Sequence, residues 1–180
     1  MVKGVFIDRD GTINKEVEYL NDHERFEFIE GSLDALIMLQ SRGFKLILVT
    51  NQSGIANGKI SWPQLEAIHR KMLSMMKAKG INITSKEIFL CPHHAGELCA
   101  CRKPNVKNFK EAQAQFALDP KECYVVGDKT SDIEAARRGG YRSVLVKTGY
   151  GGMDGTYDAK PDFVAKDLLE AAKMIIKEAP

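Results

Sequence analysis

Two aspartates separated by a single residue, Asp8 and Asp10, stand directly after an apolar run, Gly4–Ile7, near the start of the 180-residue chain. Carboxylates this close repel each other and lose solvation beside a buried strand, and a divalent cation relieves that cost. Mg²⁺ prefers oxygen ligands, so the pair predicts a magnesium site. Gly11 follows and lets the chain turn tightly next to a ligand. A plain turn explains an isolated Asp-x-Asp pair equally well, and the other motifs must decide between the two.

A second group of residues that could do chemistry lies in one short segment, where Cys91 and His93 precede Cys99 and Cys101. Four thiolate and imidazole ligands suit a tetrahedral Zn²⁺ and leave no open position for a catalytic water, so the predicted zinc site is structural. His94 is an alternative fourth ligand. Free buried thiols are the competing interpretation, but free cysteines rarely cluster so densely.

Three further polar segments follow a predicted strand or the cysteine-rich segment. Residues 50–54, Thr-Asn-Gln-Ser-Gly, offer hydroxyls, amides and backbone N–H groups to phosphate oxygens. Arg102 and Lys103 open a predicted helix directly after the cysteines. Asp128 and Asp132 follow another strand, and both could approach a cation.

These segments need a scaffold that brings them together, and short apolar runs alternating with helical patterns provide one. Runs rich in Val, Ile and Leu predict strands at 4–7, 45–49, 87–90, 123–126 and 142–146, with a weaker one at 162–164. Helices are predicted between them, one capped by Ser32 and one opened by a capping box of Ser61 and Gln64. The alternation predicts an α/β fold with a doubly wound, Rossmann-like parallel sheet. Ligands bind such sheets at the carboxyl ends of the strands, where the polar segments lie.

Composition narrows the class of protein. The chain has 26 basic and 24 acidic residues, a net charge of +2, and 44% hydrophobic residues. A near-neutral balance argues against nucleic-acid binding through bulk charge. No apolar run approaches the roughly 20 residues of a membrane helix, and no signal peptide is visible, so a cytoplasmic protein is expected. The length predicts one domain over residues 1–180, with a zinc loop at 91–101, and we expect a monomer.

Together the motifs resemble those of the haloacid dehalogenase-like phosphatase superfamily. Residues 8–12, Asp-Arg-Asp-Gly-Thr, look like its first motif, Thr50 its second, Lys103 its third, and Gly127–Asp128 with Asp132 its fourth. The resemblance implies that Asp8 attacks phosphorus and forms an aspartyl-phosphate. It also implies that Asp10 protonates the leaving oxygen and then activates water.

The same resemblance implies the roles of the remaining motif residues. Mg²⁺ would bind the Asp8 carboxylate, the Asp10 backbone carbonyl and the Asp128 carboxylate. Asp132 would orient a water on that metal. The transferring phosphoryl group would be held by Thr50 and Lys103. A chain of this length leaves no room for a separate cap domain, which predicts an open site.

A narrower resemblance rests on Cys-Pro-His-His, Thr-Asn-Gln-Ser-Gly and Gly-Asp-Lys. Over nearly the whole chain these strings are similar to the D-glycero-D-manno-heptose 1,7-bisphosphate 7-phosphatase family. That family removes the 7-phosphate and leaves heptose 1-phosphate for nucleotide-activated heptose synthesis. Its pattern favours His93 as the zinc ligand, and it places Arg102 and Lys129 as seats for the non-reacting phosphate. The substrate contacts that it implies are Glu16, Val17, Glu18, Tyr19, Thr50, Asn51, Gln52, Ser53, Arg102, Lys103 and Lys129.

Three other functions stay open at this point. The zinc-containing histidinol-phosphate phosphatases share the first motif and the zinc loop, and the short spacer Ala95–Leu98 resembles theirs. A non-enzymatic zinc-stabilised binding module would explain the cysteines but leaves the aspartates without a role. A receiver-type phosphoacceptor domain also uses aspartates, Mg²⁺, Thr and Lys, but the compact Asp-x-Asp pair favours phosphate-ester hydrolysis.

Overall fold

The computed structural model describes residues 2–179 as a six-stranded sheet with helices packed on both faces. The strands are β1 (Val2–Ile7), β2 (Lys45–Asn51), β3 (Ile88–Cys91), β4 (Leu118–Gly127), β5 (Arg142–Val146) and β6 (Phe163–Ala165). The helices are α1 (Ser32–Ser41), α2 (Trp62–Ala78), α3 (Lys107–Gln115), α4 (Thr130–Gly139) and α5 (Leu168–Glu178). Within residues 2–179, no helix has the length and apolar character that crossing a bilayer requires.

All neighbouring strands are parallel, and their spatial order is β3-β2-β1-β4-β5-β6. The strand order therefore reverses between β1 and β4, the central pair, which is where doubly wound sheets bind their ligands. The prediction of a doubly wound α/β fold is confirmed.

The two faces of the sheet bury separate apolar clusters because successive side chains of a strand point in opposite directions. Val5 and Ile7 of β1 pack with α1, α2 and α5 on one face. Phe6, between them, packs with Phe109 of α3 and Ala135 of α4 on the other. Burial of both faces explains why the strands read as continuous apolar runs rather than as alternating ones.

The predicted start of α2 agrees with the structure, whereas the predicted start of α1 does not. Ser61 and Gln64 form the predicted capping box at the start of α2. Ser32 was expected to cap α1, but that prediction is wrong, because Gly31 is the cap residue and Ser32 is already helical. The Gly31 carbonyl accepts the first intrahelical hydrogen bond from Ala35 N, and the φ of 79° at Gly31 is one that glycine adopts without strain.

Candidate active site

The first and fourth motifs meet at the point where the strand order reverses. Asp8 directly follows β1, and its backbone N donates to Val126 O of β4 at 2.9 Å. Asp128 directly follows β4. With Asp132 from the first turn of α4, these residues place three buried carboxylates with oxygen atoms within 4.8 Å of one another. The structure thus brings together the acidic residues that the sequence singled out.

The carboxylate cluster is electrostatically strained without a cation. Burial, reinforced by the charges of Asp8 and Asp132, raises the pKa of Asp128 to about 8. One oxygen of Asp128, Oδ2, accepts a hydrogen bond from Tyr150 N at 2.8 Å. The other, Oδ1, is buried and has no hydrogen-bond partner among residues 2–179. An orphaned carboxylate oxygen beside two further carboxylates is the donor set that a hard divalent cation such as Mg²⁺ requires, so the residues fit the predicted metal.

Lys103 neutralises part of this cluster from within the protein. Its ammonium lies 2.7 Å from Asp8 Oδ1, 2.6 Å from Asp132 Oδ1 and 2.8 Å from Val49 O. Burial alone would lower the pKa of Lys103, but Asp132 and Asp8 raise it above its ordinary value, so the side chain stays charged. The backbone N of Lys103 donates to Asn51 Oδ1 at 3.1 Å, which ties the second motif to the third.

Both carboxylate oxygens of Asp132 contact other groups of the protein. Besides the Lys103 contact, its Oδ2 accepts a hydrogen bond from Lys129 N at 3.1 Å. Burial, partly offset by Lys103, raises the pKa of Asp132 to about 6. Asp132 therefore fixes Lys103 and the start of α4. The predicted role of orienting a water on the metal stays a prediction.

Asp10 has a different environment from the other acidic residues, because its side chain is held by three hydrogen-bond donors. Arg9 contacts it at 2.7 Å, Asn14 at 2.9 Å and Gln52 at 2.8 Å. Burial alone would raise the pKa of Asp10, but the Arg9 guanidinium and these hydrogen bonds bring it below its ordinary value. Arg9 is itself buried and lies 3.1 Å from Nε2 of His69 on α2, a pairing that no spacing in the sequence indicates.

Two adjoining cavities receive the predicted substrate contacts. The larger has a volume of about 530 Å³, and the smaller, of about 200 Å³, adjoins it at Asp10, Asn51, Ser53, Lys129 and Tyr150. The predicted residues that line the larger one are Asp8, Asp10, Thr50, Asn51, Ser53, Arg102, Lys103 and Lys129. Those that line the smaller one include Glu16, Val17, Glu18, Tyr19 and Gln52. Every residue predicted to contact substrate therefore faces one of the two.

Lys129 stands where the two cavities join. Its ammonium lies 3.4 Å from Glu16 Oε2 and 4.4 Å from the centre of the Tyr150 ring. Burial opposes its charge, but Asp8, Glu16 and Asp128 together raise the pKa of Lys129 above its ordinary value. The side chain is thus a fixed cation at the mouth of the carboxylate cluster.

A segment that the sequence reasoning missed, residues 148–157, closes over the site. Gly152 N donates to Asp128 O at 2.7 Å, and Thr148 Oγ1 donates to Gly11 O at 2.6 Å. Gly149 has a φ of 57°, and a Cβ there would lie 2.2 Å from Asp128 Oδ2. The glycines at 149, 151, 152 and 155 are the one signal in the sequence that indicated a close backbone approach.

The cysteine-rich segment forms a second, separate cluster of candidate ligands. His93 Nδ1 lies 3.4 Å from Cys91 Sγ and 3.2 Å from Cys101 Sγ, and Cys99 Sγ lies 3.7 Å and 3.9 Å from the other two sulfurs. A tetrahedron with metal–sulfur bonds of about 2.3 Å has edges of about 3.8 Å, so these atoms fit around one Zn²⁺. His94 does not belong to this group of ligand atoms, and its Nδ1 accepts a hydrogen bond from Gly96 N at 3.0 Å. The structure therefore selects His93 over His94 as the candidate ligand.

Comparisons with known proteins agree with this site. The HAD-hydrolase-like family matches residues 100–171. D-glycero-alpha-D-manno-heptose-1,7-bisphosphate 7-phosphatase of Photorhabdus laumondii is 36% identical over 182 residues, 97% of each chain. D-glycero-beta-D-manno-heptose-1,7-bisphosphate 7-phosphatase of Pasteurella multocida is 39% identical over 184 residues, also 97% of each chain.

A solved structure shows the same fold. The D,D-heptose 1,7-bisphosphate phosphatase of B. bronchiseptica, complexed with magnesium and phosphate, superposes with a TM-score of 0.86 at 31% identity. The match covers 99% of this chain and 100% of that one. That relative is similar to this chain along its whole length, including the part that carries the carboxylate cluster and the cysteine-rich segment.

Proposed function

The chain belongs to the heptose-1,7-bisphosphate 7-phosphatase family of HAD-like hydrolases, and from this membership we propose that it hydrolyses the 7-phosphate of D-glycero-D-manno-heptose 1,7-bisphosphate. The product would be heptose 1-phosphate. The observation that carries the proposal is that Asp8, Asp10 and Lys103 line one cavity at the centre of the sheet, with the buried Asp128 clustered against Asp8. The related proteins carry both alpha and beta names, so family membership does not select an anomer.

We assign the first chemical step to Asp8 and Asp10. The Asp8 carboxylate attacks phosphorus, and the bond between phosphorus and the heptose oxygen breaks as the aspartyl-phosphate forms. Asp10 gives its proton to that leaving oxygen. Arg9 holds Asp10 ionised in the free protein, but an arriving phosphate dianion raises the pKa of a neighbouring carboxyl. Substrate binding therefore favours the protonated form that the step needs.

The second step reverses the role of Asp10. As a carboxylate, Asp10 accepts a proton from water while the water oxygen attacks phosphorus. The bond between Asp8 and phosphorus breaks, and inorganic phosphate leaves. The two oxygens of the Asp10 carboxylate are already held by Arg9, Asn14 and Gln52, which fixes the direction of proton transfer in both steps.

Charge on the transferring phosphoryl group is balanced by fixed cations. The Asp8 and Asp128 carboxylates and the Asp10 carbonyl would hold Mg²⁺, which would supply positive charge to balance that of the phosphoryl oxygens. Lys103, already oriented by Asp8 and Asp132, supplies a second positive charge, and Thr50 a hydroxyl. Arg102 and Lys129 lie in the same cavity and are the proposed contacts for the 1-phosphate.

We also propose that residues 1–180 form a single phosphatase domain without a cap. Between β1 and α1 the described chain contains only loops and a 3-10 turn at His23–Arg25, and between β2 and β3 it contains α2 and a second 3-10 turn. Substrate selection would then rest on short loops. One of them, residues 91–101, is held by the proposed structural Zn²⁺ at Cys91, His93, Cys99 and Cys101.

The nucleophile assignment is tested by Asp8→Asn. An amide cannot form the aspartyl-phosphate, so we expect turnover to fall by at least about a thousandfold while the circular dichroism spectrum stays native. Rates like those of the wild type, in a sample shown by mass spectrometry to be free of deamidation, would overturn the assignment.

The substrate assignment is tested by a side-by-side assay. Release of phosphate from heptose 1,7-bisphosphate and from histidinol phosphate is compared with and without Mg²⁺. We expect Mg²⁺-dependent turnover with a higher kcat/KM for the bisphosphate, because only that substrate can use Arg102 and Lys129 for a second phosphate. A higher kcat/KM for histidinol phosphate would refute the proposal. If neither ester releases phosphate, the result would favour the non-enzymatic zinc-stabilised binding module.

A further inference from the structure

Arg138, near the end of α4, is a positively charged residue that lines the larger of the two cavities. None of the family motifs includes it. Asn105 links it to Arg102, which lines the same cavity and which the family pattern assigns to the non-reacting phosphate. Asn105 N donates to Arg102 O at 2.8 Å, and Arg138 Nη1 donates to Asn105 Oδ1 at 3.4 Å. Arg102, Asn105 and Arg138 therefore form one continuous patch of the cavity wall, which we call the Arg102–Arg138 patch.

The neighbouring arginine shows that this placement is specific. Arg137 and Arg138 both contact Glu134 at 2.7 Å. Arg137 uses both Nε and Nη2 on that carboxylate, and its side chain is 71% exposed. Arg138 uses only Nε on Glu134 and is 40% exposed, and among residues 2–179 its Nη2 donates to no protein acceptor. Glu134 thus occupies two N–H groups of Arg137, whereas it binds Arg138 through Nε alone and only orients that side chain.

We propose that Arg138 is a specificity-determining residue, which binds the non-reacting phosphate of a bisphosphate substrate together with Arg102. The inference rests on the proposed function and deepens it. A cavity-lining guanidinium whose Nε is anchored on Glu134, and whose Nη2 has no acceptor among residues 2–179, is preorganised to donate to phosphate oxygens. The alternative role, a cation that only stabilises the carboxyl end of α4, applies equally to Arg137 and does not explain why Arg138 lines the cavity.

Four carboxylates line the same cavity, and none of them is paired with Arg138. Asp8 is paired with Lys103 and Asp10 with Arg9. Asp154 accepts hydrogen bonds from Thr130 N at 2.8 Å and from Thr130 Oγ1 at 2.7 Å. Glu97 accepts one from His94 N at 2.7 Å. Asp154 is thus held by the first residue of α4 and Glu97 by its own loop. Arg138 has no ion pair within residues 2–179 other than the one with Glu134.

The test compares Arg138→Gln with Arg137→Gln, which breaks the other ion pair with the same Glu134. For each variant kcat/KM is measured on D-glycero-D-manno-heptose 1,7-bisphosphate and on the matched 7-monophosphate. We expect Arg138→Gln to lower the ratio of the two values by about tenfold, through KM for the bisphosphate, as loss of one charge-assisted phosphate contact predicts. Arg137→Gln is expected to leave the ratio at the wild-type value.

Several outcomes would overturn the inference. A ratio unchanged by Arg138→Gln would show that Arg138 does not sense the second phosphate. An equal fall of the ratio in both variants would assign the effect to the Glu134 ion pairs. A wild-type enzyme that treats bisphosphate and monophosphate alike would have no seat for a second phosphate, although it would remain a phosphatase. A preference for histidinol phosphate would instead refute the proposed function. The ratio of kcat/KM for a bisphosphate to that for its monophosphate would then be measured with fructose 1,6-bisphosphate and fructose 6-phosphate.

Discussion

Replacing Asp128 by asparagine should make the magnesium-free protein more stable at slightly alkaline pH. Asp128 is fully buried, and its burial, with the charges of Asp8 and Asp132, raises its pKa from 3.8 to about 8. At neutral pH the folded metal-free protein therefore holds a proton on Asp128 that the unfolded chain has released. The proposed role of the site in binding Mg²⁺ thus predicts a measurable loss of stability when Mg²⁺ is absent.

The sign of the effect follows from proton binding. Because the folded state binds the extra proton, the free energy of unfolding falls as pH rises between 3.8 and about 8. Burial and the charge of Arg9 lower the pKa of His69 from 6.5 to about 4. Between these pH values His69 makes the free energy of unfolding rise with pH, which opposes the effect of Asp128. Above pH 6.5 the remaining His69 contribution is only about 0.4 kcal/mol and is the same in wild type and Asp128→Asn. The difference between the two proteins from pH 6.5 to 8 therefore isolates the Asp128 carboxylate.

The magnitude follows from the same linkage. For one proton with a folded-state pKa near 8, integration over this interval gives a loss of about 1.5 kcal/mol. Asparagine does not ionise, so Asp128→Asn should lose less than about 0.5 kcal/mol over the same interval. Burial also raises the pKa of Glu16, but that residue is present in both proteins and cancels from the comparison.

The assay is urea unfolding at the two pH values in buffer without Mg²⁺ and without a chelator, so that any zinc at the cysteine cluster is retained. Saturating Mg²⁺ should restore the stability of the wild type at pH 8 and add little to Asp128→Asn. Asp158→Asn, at an exposed position, is the matched control and should follow the wild type. Parallel pH dependence of wild type and Asp128→Asn, or equal stabilisation of both by Mg²⁺, would refute the reasoning.

Three further substitutions test other parts of the site. Gly149→Ala should lower kcat by about a hundredfold or more, because its Cβ would collide with Asp128 Oδ2 and Gly11 Cα. Gly155→Ala, with a similar φ of 62° but open space around it, is the control, and equal losses in steady-state assays would contradict the steric argument. Lys103→Met should lower kcat by about a hundredfold to a thousandfold by removing the cation that faces the phosphoryl group; a variant with kcat near the wild-type value would disprove that role. Cys101→Ser should abolish zinc binding in elemental analysis and lower the unfolding temperature, whereas Cys123→Ala, in β4 away from the cluster, should keep the metal. Full zinc content in Cys101→Ser would exclude Cys101 as a ligand.

The parts of the molecule that the sequence predicts well are those that depend on neighbours in the chain or on the rules of parallel sheets. β1 and β2 read as buried strands because they are apolar on consecutive residues, and the α2 capping box is a local pattern. Asp8 and Asp128 were expected together because parallel strands present their carboxyl ends at one edge. Such inferences need no knowledge of how distant loops pack.

The parts that the sequence does not reveal depend on contacts between distant residues. The contact between buried Arg9 and half-buried His69 joins positions 60 residues apart, and the hydrogen bond from Thr148 to Gly11 joins positions 137 apart. Nothing in the spacing of Arg137 and Arg138 shows that one is committed to Glu134 while the other lines a cavity. The sequence also does not reveal the start of α1, because the cap depends on the left-handed conformation of Gly31.

The two candidate metal sites have separate chemistry but act on the same cavity. The cysteine cluster spans the end of β3 and the loop that follows it, and Arg102 and Lys103 come directly after its last cysteine. Asn105 Nδ2 donates to Cys99 O at 2.7 Å, which ties the wall of the cavity directly to a candidate zinc ligand. A loop of this kind has little apolar core of its own, and Leu98 within it is fully exposed. Zinc would therefore do what a cap domain does in a larger enzyme, because it would fix the cations that meet the substrate while the carboxylates at the sheet perform the chemistry.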